Sequence, residues 1–224
     1  SPFIFANFNG TSGDVDVLTH EVGHAFAAHL AWDIEPAILQ VATLETCEIH
    51  ATALEYLTWP WMEGFFGVQT DKYYESHLTV ALSFLPYGAM VDEYQHHIYE
   101  NPEMTPAQRN EYWLTLESKY RPWLDLTDTP YHGEGRQWQS IAHIYEDPFY
   151  YIDYCLSFIV ALGFWAESQE DAKAAWAKYR KLTALAGTKT FVELIAEAGL
   201  PTPFETDNIK VVADAAIAWL DKRK

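Results

Sequence analysis

The stretch from Asp14 to Phe26 contains His20, Glu21, Val22, Gly23 and His24, the pattern His-Glu-x-x-His. It constrains the fold because its chemistry requires a helix. Residues four apart on a helix share a face, so His20 and His24 can present two imidazoles to one metal ion. Glu21 projects beside them, placed to take a proton from an activated water. From Asp16 onward Leu18, Val22, Ala25, Phe26 and Leu30 recur at helical spacing, which predicts the helix the motif needs. Small Gly23 between the histidines and the carboxylates on the helix that follows also favour the metal-site reading. The same five residues also arise as two satisfied histidines flanking a solvated glutamate. A third ligand separates the two readings, because a catalytic zinc takes three protein ligands and keeps one position for water.

After Pro36 the pattern predicts a second helix from Ile38 to about Thr58, stopped by Pro60. It offers Glu45, Glu48 and Glu55. Glu45 and Glu48 are three apart and share a face, so spacing leaves both open; thermolysin-like spacing leans toward Glu45. His50 is a further donor, pointing roughly away from the face Glu48 uses. A carboxylate left over has a role as acceptor for a ligand imidazole N–H. Cys47 is set aside because thiolates typify structural zinc. His29, five residues past His24, is turned roughly 140° from the metal face at about 100° per residue and reads as a solvated or core histidine.

The remaining chain predicts helices over about 72–99 (kinked or broken at Pro86), 106–119, 148–166, 171–185, 190–198 and 206–222. Residues 122–135, rich in Pro, Gly, Asp and Thr, read as a loop. Phe3 to Phe8 is short and aromatic and ends at Asn9-Gly10, which reads as a strand and turn. The fold class is therefore mainly α, a multi-helix bundle with one short N-terminal strand. A lone strand has nothing to pair with, so either a partner strand lies elsewhere in the chain or, the preferred expectation, sequence upstream of Ser1 is missing. The 224 residues, with nine Trp, fourteen Tyr and twelve Phe, suffice for a packed core. A formal charge of −18 argues against a nucleic-acid partner. It would steer neutral or basic peptides to the surface, or simply maintain solubility. No apolar run approaches the roughly 18–20 residues a membrane helix needs. Two cysteines and no export signal point to the cytoplasm.

His143 begins a run rich in tyrosine, reaching Tyr150, Tyr151 and Tyr154. Histidine and tyrosine can both donate hydrogen bonds to an oxyanion, although the same run fits an aromatic helix face. Three segments resemble the oligoendopeptidase F branch of the thimet oligopeptidase family, its Pz-peptidase-like members in particular. They are Pro2 to Phe26, Glu45 to His50, and His143 to Tyr154, in that order; Thr190 to Leu194 with Pro203-Phe204 also fits. The resemblance spans nearly the whole chain and implies a zincin-like helical catalytic domain over 1–224, the C-terminal portion of a longer enzyme. In that family the third ligand lies in a Glu-x6-Glu pattern, which Glu48 and Glu55 reproduce and Glu45 does not. It thus implies one Zn²⁺ per chain on His20, His24 and Glu48, with Glu21 as general base. His143 and Tyr154 match best the donors over the scissile carbonyl, Tyr150 and Tyr151 less well. Phe3–Phe8 would bind peptide backbone by β-addition, with Asn7 and Phe8 near the substrate. The implied activity is a zinc metalloendopeptidase acting on short peptides in a channel that excludes folded proteins. The alternative is a metal-binding helical fragment, inactive without the missing N-terminal region.

Overall fold

Helices make up nearly all the regular structure of the computed structural model, which describes residues 2–223. In chain order α1 spans Ser12–Leu30, α2 Leu44–Leu57, α3 Glu63–Phe66, α4 Thr70–Glu100 and α5 Pro106–Tyr120. Then come α6 His143–Glu146, α7 Tyr151–Leu185, α8 Phe191–Ala198 and α9 Thr206–Asp221. The mainly α, multi-helix expectation holds. The chain divides into two compact units: Ser1–Val80 with Leu156–Lys224, and Ala81–Cys155.

The N-terminal strand does not form. Residues 2–9 carry no strand pairing, and no β-strand occurs among the described residues. Phe3 and Phe5 are 86% and 90% exposed. With no partner ladder and no buried face, nothing fixes a register for the alternating aromatics. The segment is instead tied to α1 at its far end. The Asp14 carboxylate accepts the backbone N–H groups of Asn9 and Gly10, and Gly10 turns the chain at φ +83°, a conformation open to glycine.

In the first unit α1 buries Thr19, Gly23 and Ala27, a stripe of small side chains at four-residue spacing. That stripe lets α2 come close. A Cβ on Gly23 would lie 2.5 Å from the Ala51 Cα and 2.6 Å from the His50 carbonyl oxygen, so only glycine fits. α2 is buried almost throughout from Glu48 to Leu57. Tyr179 of α7 donates its hydroxyl to the His50 carbonyl at 2.8 Å, holding α2 from another side. Trp59 packs on Trp165 and Trp219 with ring centroids 5.9 and 5.4 Å away.

α2 starts later than the apolar pattern implied. Residues 37–40 form a 3-10 turn, where Gln40 donates its amide to the carbonyls of Trp32 and Ile34 at 3.1 and 3.0 Å. The helix then opens after Thr43. It ends at Thr58, whose hydroxyl caps the Leu54 and Glu55 carbonyls.

The second unit has its own core of Met90, Val91, Tyr94, Ile98, Trp113, Leu116, Trp138, Ile141 and Ile144. α4 passes through Pro86 without a break. The loop from 122 to 135 is irregular as its composition implied; Gly135, at φ +69°, lies so close to the Asn110 carbonyl that a Cβ would fall 2.2 Å from it. α7 begins at Tyr151, later than 148, because Phe149 adopts φ +68°, a left-handed conformation costly for a bulky residue. Its N–H donates to Gln95 Oε1 at 2.8 Å, which compensates. Farther along α7, Asp171 leaves helical geometry (φ −144°, ψ 91°) and accepts the N–H groups of Lys173 and Ala174. The expected division near 171 is this kink.

Candidate metal centre

Side-chain nitrogens of His20 and His24 and a carboxylate oxygen of Glu48 all lie within 4.8 Å of one another. Two helices build this group. His20 and His24 sit one turn apart on α1, their rings edge-to-face at 4.9 Å, and Glu48 reaches them from α2. The Gly23 contact makes the reach possible by drawing the helix axes together just where the histidines emerge. Glu45, three residues before Glu48, is not a member of the group, and neither is His50. His50 is buried in α2, where burial pushes its imidazole down to about 3. His29 is exposed.

His20 is held at both nitrogens. Its Nε2 lies 3.4 Å from Glu48 Oε2, and its Nδ1 lies 2.7 Å from Glu55 Oε1. Glu48 and Glu55 are seven residues apart, almost two full turns, so both carboxylates leave the same face of α2. Burial alone would push the His20 imidazole down, but hydrogen bonds to Glu48 and Glu55 and their charges carry it up to about 10. The site therefore favours a positive charge. His24 is shifted the other way, by burial and then by the neighbouring His20 charge.

The donor set fits zinc. Two imidazoles and one carboxylate are a catalytic set for this ion. Ligand atoms about 2.0–2.1 Å from a tetrahedral centre stand roughly 3.3–3.4 Å apart, and His20 Nε2 to Glu48 Oε2 is 3.4 Å. With Nδ1 engaged by Glu55, His20 has Nε2 to offer, and Glu55 is the carboxylate that orients it. Glu21, on α1 beside His20, is partly exposed.

His143 and Tyr154 belong to the second unit and lie together there. The Tyr154 hydroxyl is 3.4 Å from His143 Nε2, and their rings meet edge-to-face at 5.7 Å. Tyr150 and Tyr151 complete the cluster, with centroids 4.9 and 5.7 Å from Tyr154. All four side chains are half-buried.

A family model described as peptidase family M3 matches residues 1–212. The chain belongs to peptidase family M3. No curated protein matches it. Among solved structures of this kind, it is similar to Pz peptidase A with inhibitor 2, at 47% identity and a TM-score of 0.94, covering 98% of this chain and 39% of that one. It is likewise similar to an oligoendopeptidase F, at 49% identity and a TM-score of 0.94, with the same coverage. A third, designated oligoendopeptidase F from Bacillus anthracis str. Ames, is 45% identical with a TM-score of 0.85, covering 98% of this chain and 36% of that one. This M3 chain thus spans about two fifths of the length of the solved relatives it matches.

Sequence reasoning missed several residues around this M3 centre. Trp59 is buried and also donates its indole N–H to His77 Nδ1 at 3.0 Å. His77, Tyr73 and Asp16 carried no expectation, yet His77 Nε2 stands 2.9 Å from Glu55 Oε2. Asp16 precedes His20 by four residues, and that spacing was the one available signal.

Proposed function

We propose that this chain is the catalytic domain of a zinc-dependent endopeptidase that hydrolyses short peptides by attack of an activated water. The observation carrying the reading is the grouping of His20, His24 and Glu48 ligand atoms on adjoining helices, with Glu21 next in sequence to the first ligand. His20 Nε2, an imidazole nitrogen of His24 and a Glu48 oxygen would hold one Zn²⁺ per chain. Bound there, zinc supplies Lewis-acid chemistry, polarising a carbonyl and acidifying water. Glu21 accepts the water's proton as its oxygen attacks the peptide carbonyl carbon, then returns that proton to the leaving amine nitrogen. Glu55 holds His20 in register by taking its Nδ1–H. His143 and Tyr154 donate hydrogen bonds to the carbonyl oxygen as it gains charge; this assignment rests on the resemblance of their segment to the family. Membership of peptidase family M3 and relatives named as peptidases support peptide substrates. A cytoplasmic setting is part of the same reading and rests on the free thiols of Cys47 and Cys155.

Glu21→Gln separates catalysis from metal binding. The expected result is hydrolysis of a quenched peptide reduced by about 10²–10⁴-fold or more, with zinc retained near one per chain. A variant as active as the parent excludes Glu21 as the base. A second reading follows from the coverage of 39% of the relatives' length: a chain that binds zinc but cleaves nothing until the region those relatives carry beyond it is supplied. Adding that region in trans or by fusion distinguishes the two. A chain that takes up no zinc after metal loading excludes both.

A further inference from the structure

Behind His20, deeper in the first unit, a connected set of side chains ends on the indole of Trp59. Glu55 Oε1 lies 2.7 Å from His20 Nδ1, and Glu55 Oε2 lies 2.9 Å from His77 Nε2. His77 Nδ1 in turn lies 3.0 Å from Trp59 Nε1. Indole can only donate. Nδ1 of His77 must therefore present its lone pair to Trp59, and the ring proton sits on Nε2, pointing at Glu55. The Tyr73 hydroxyl is 3.5 Å from the same Nδ1 but gives its hydrogen to Asp16 Oδ1 at the shorter distance of 2.7 Å. The His77 ring is also held flat between aromatic neighbours. It stacks on Tyr56 at 4.6 Å and 14°, and on Tyr73 at 5.4 Å and 23°. His77 and Glu55 are both more than nine-tenths buried, so water does not substitute for these bonds.

We propose that His77 is a positioning residue for the metal centre: with its tautomer set by Trp59, it pins the second oxygen of Glu55, so that the first oxygen fixes His20 with Nε2 toward the ion. The proposal rests on the metal-centre reading above. A carboxylate anchored through one oxygen can swivel about its side-chain torsions. Anchored through both, it holds the His20 ring at one angle. Outer partners of this sort govern metal affinity as well as orientation.

The test uses the full chain and two metals, zinc and cobalt(II). His77→Phe keeps a flat ring but removes both bonds; His77→Gln restores an N–H donor toward Glu55; Trp59→Phe removes the indole donor and leaves His77 in place. Zinc affinity is read by chelator competition, site geometry by the cobalt(II) visible spectrum, and the His77 tautomer by ¹⁵N NMR of labelled histidine. The expected result is a loss of about 10–100-fold in zinc affinity for His77→Phe with a changed cobalt spectrum. His77→Gln should recover most of that loss, because it returns an N–H donor to Glu55. Equal affinity and an identical spectrum in His77→Phe overturn the proposal, as does a His77→Gln variant that loses as much as His77→Phe. Should His77→Phe fail to fold, Trp59→Phe decides: it must disturb the Nε2–H tautomer and weaken zinc binding, and no change in either overturns the proposal. A parent that binds neither metal overturns the underlying metal-centre reading, and the positioning role with it; a parent that binds both while every variant matches it overturns the positioning role alone.

Discussion

Glu55 commits its two oxygens to two different imidazoles, His20 and His77, and this arrangement outweighs the cost of burying a charge. Burial alone would raise its carboxyl, but hydrogen bonds from both histidines hold it below the usual carboxylate range. His20, Glu21 and His24 were legible in the sequence because five consecutive residues on one helix have a geometry fixed by the helix itself. His77 was not legible, because its partners Glu55 and Trp59 lie 22 and 18 residues away in sequence and meet it only through packing. The two thiols illustrate the same contrast. In Cys155 burial pushes the thiol up to about 12, so little of it is the reactive thiolate at pH 8. Burial and the nearby Glu48 charge raise the Cys47 thiol as well, but Cys47 is partly exposed. Native alkylation with iodoacetamide at pH 8 should therefore label Cys47 ahead of Cys155, which is spared until denaturant is added. Mass-mapped labelling of Cys155 in the native chain at the rate of Cys47 would contradict this.

At the scale of helices, the packing of α1 on α2 decides which side chains join the candidate metal ligands. Glu45 and Glu48 were equivalent by spacing, and resemblance rather than geometry favoured Glu48. The fold brings Glu48 and not Glu45 beside the histidines, because the Thr19, Gly23 and Ala27 stripe fixes where α2 rests. Gly23→Ala tests the contact. Its Cβ would meet backbone at 2.5–2.6 Å, and backbone cannot rotate aside, so α1 and α2 must separate. The expected cost is about 1–3 kcal/mol, the usual range for overpacking, read as a lower urea midpoint, together with weaker zinc binding. Unchanged stability and affinity would show that the helices are not so tightly apposed. Helix ends were less legible than helix existence. The Gln40 turn delays α2 and the left-handed Phe149 delays α7; both depend on bonds from side chains that periodicity does not see. The strand expected at Phe3–Phe8 did not form, because alternation specifies a strand only when a neighbour supplies the ladder.

Across the whole molecule, the described chain contains no helix long and apolar enough to cross a membrane. All three candidate ligands lie in the unit made of Ser1–Val80 and Leu156–Lys224. Zinc should therefore stabilise α1 and α2 first. At free zinc near 100 times its Kd the linkage contribution is about 2.7 kcal/mol, and hydrogen exchange should slow most in those two helices and less in Ala81–Cys155. Protection that rises only in Ala81–Cys155 would place the ion elsewhere. By itself, the sequence determined the helical character, the His-Glu-x-x-His run and the family, because each is carried by local periodicity or short runs of residues. Spacing left Glu45 and Glu48 open, and the resemblance favoured Glu48, which the fold brings to the histidines. Tertiary structure alone decided that Glu55 holds His20 and that His77 and Trp59 stand behind it. The reason is physical: spacing along a helix fixes which side chains share a face, but only the approach of a second helix, here permitted by one glycine, fixes what that face meets.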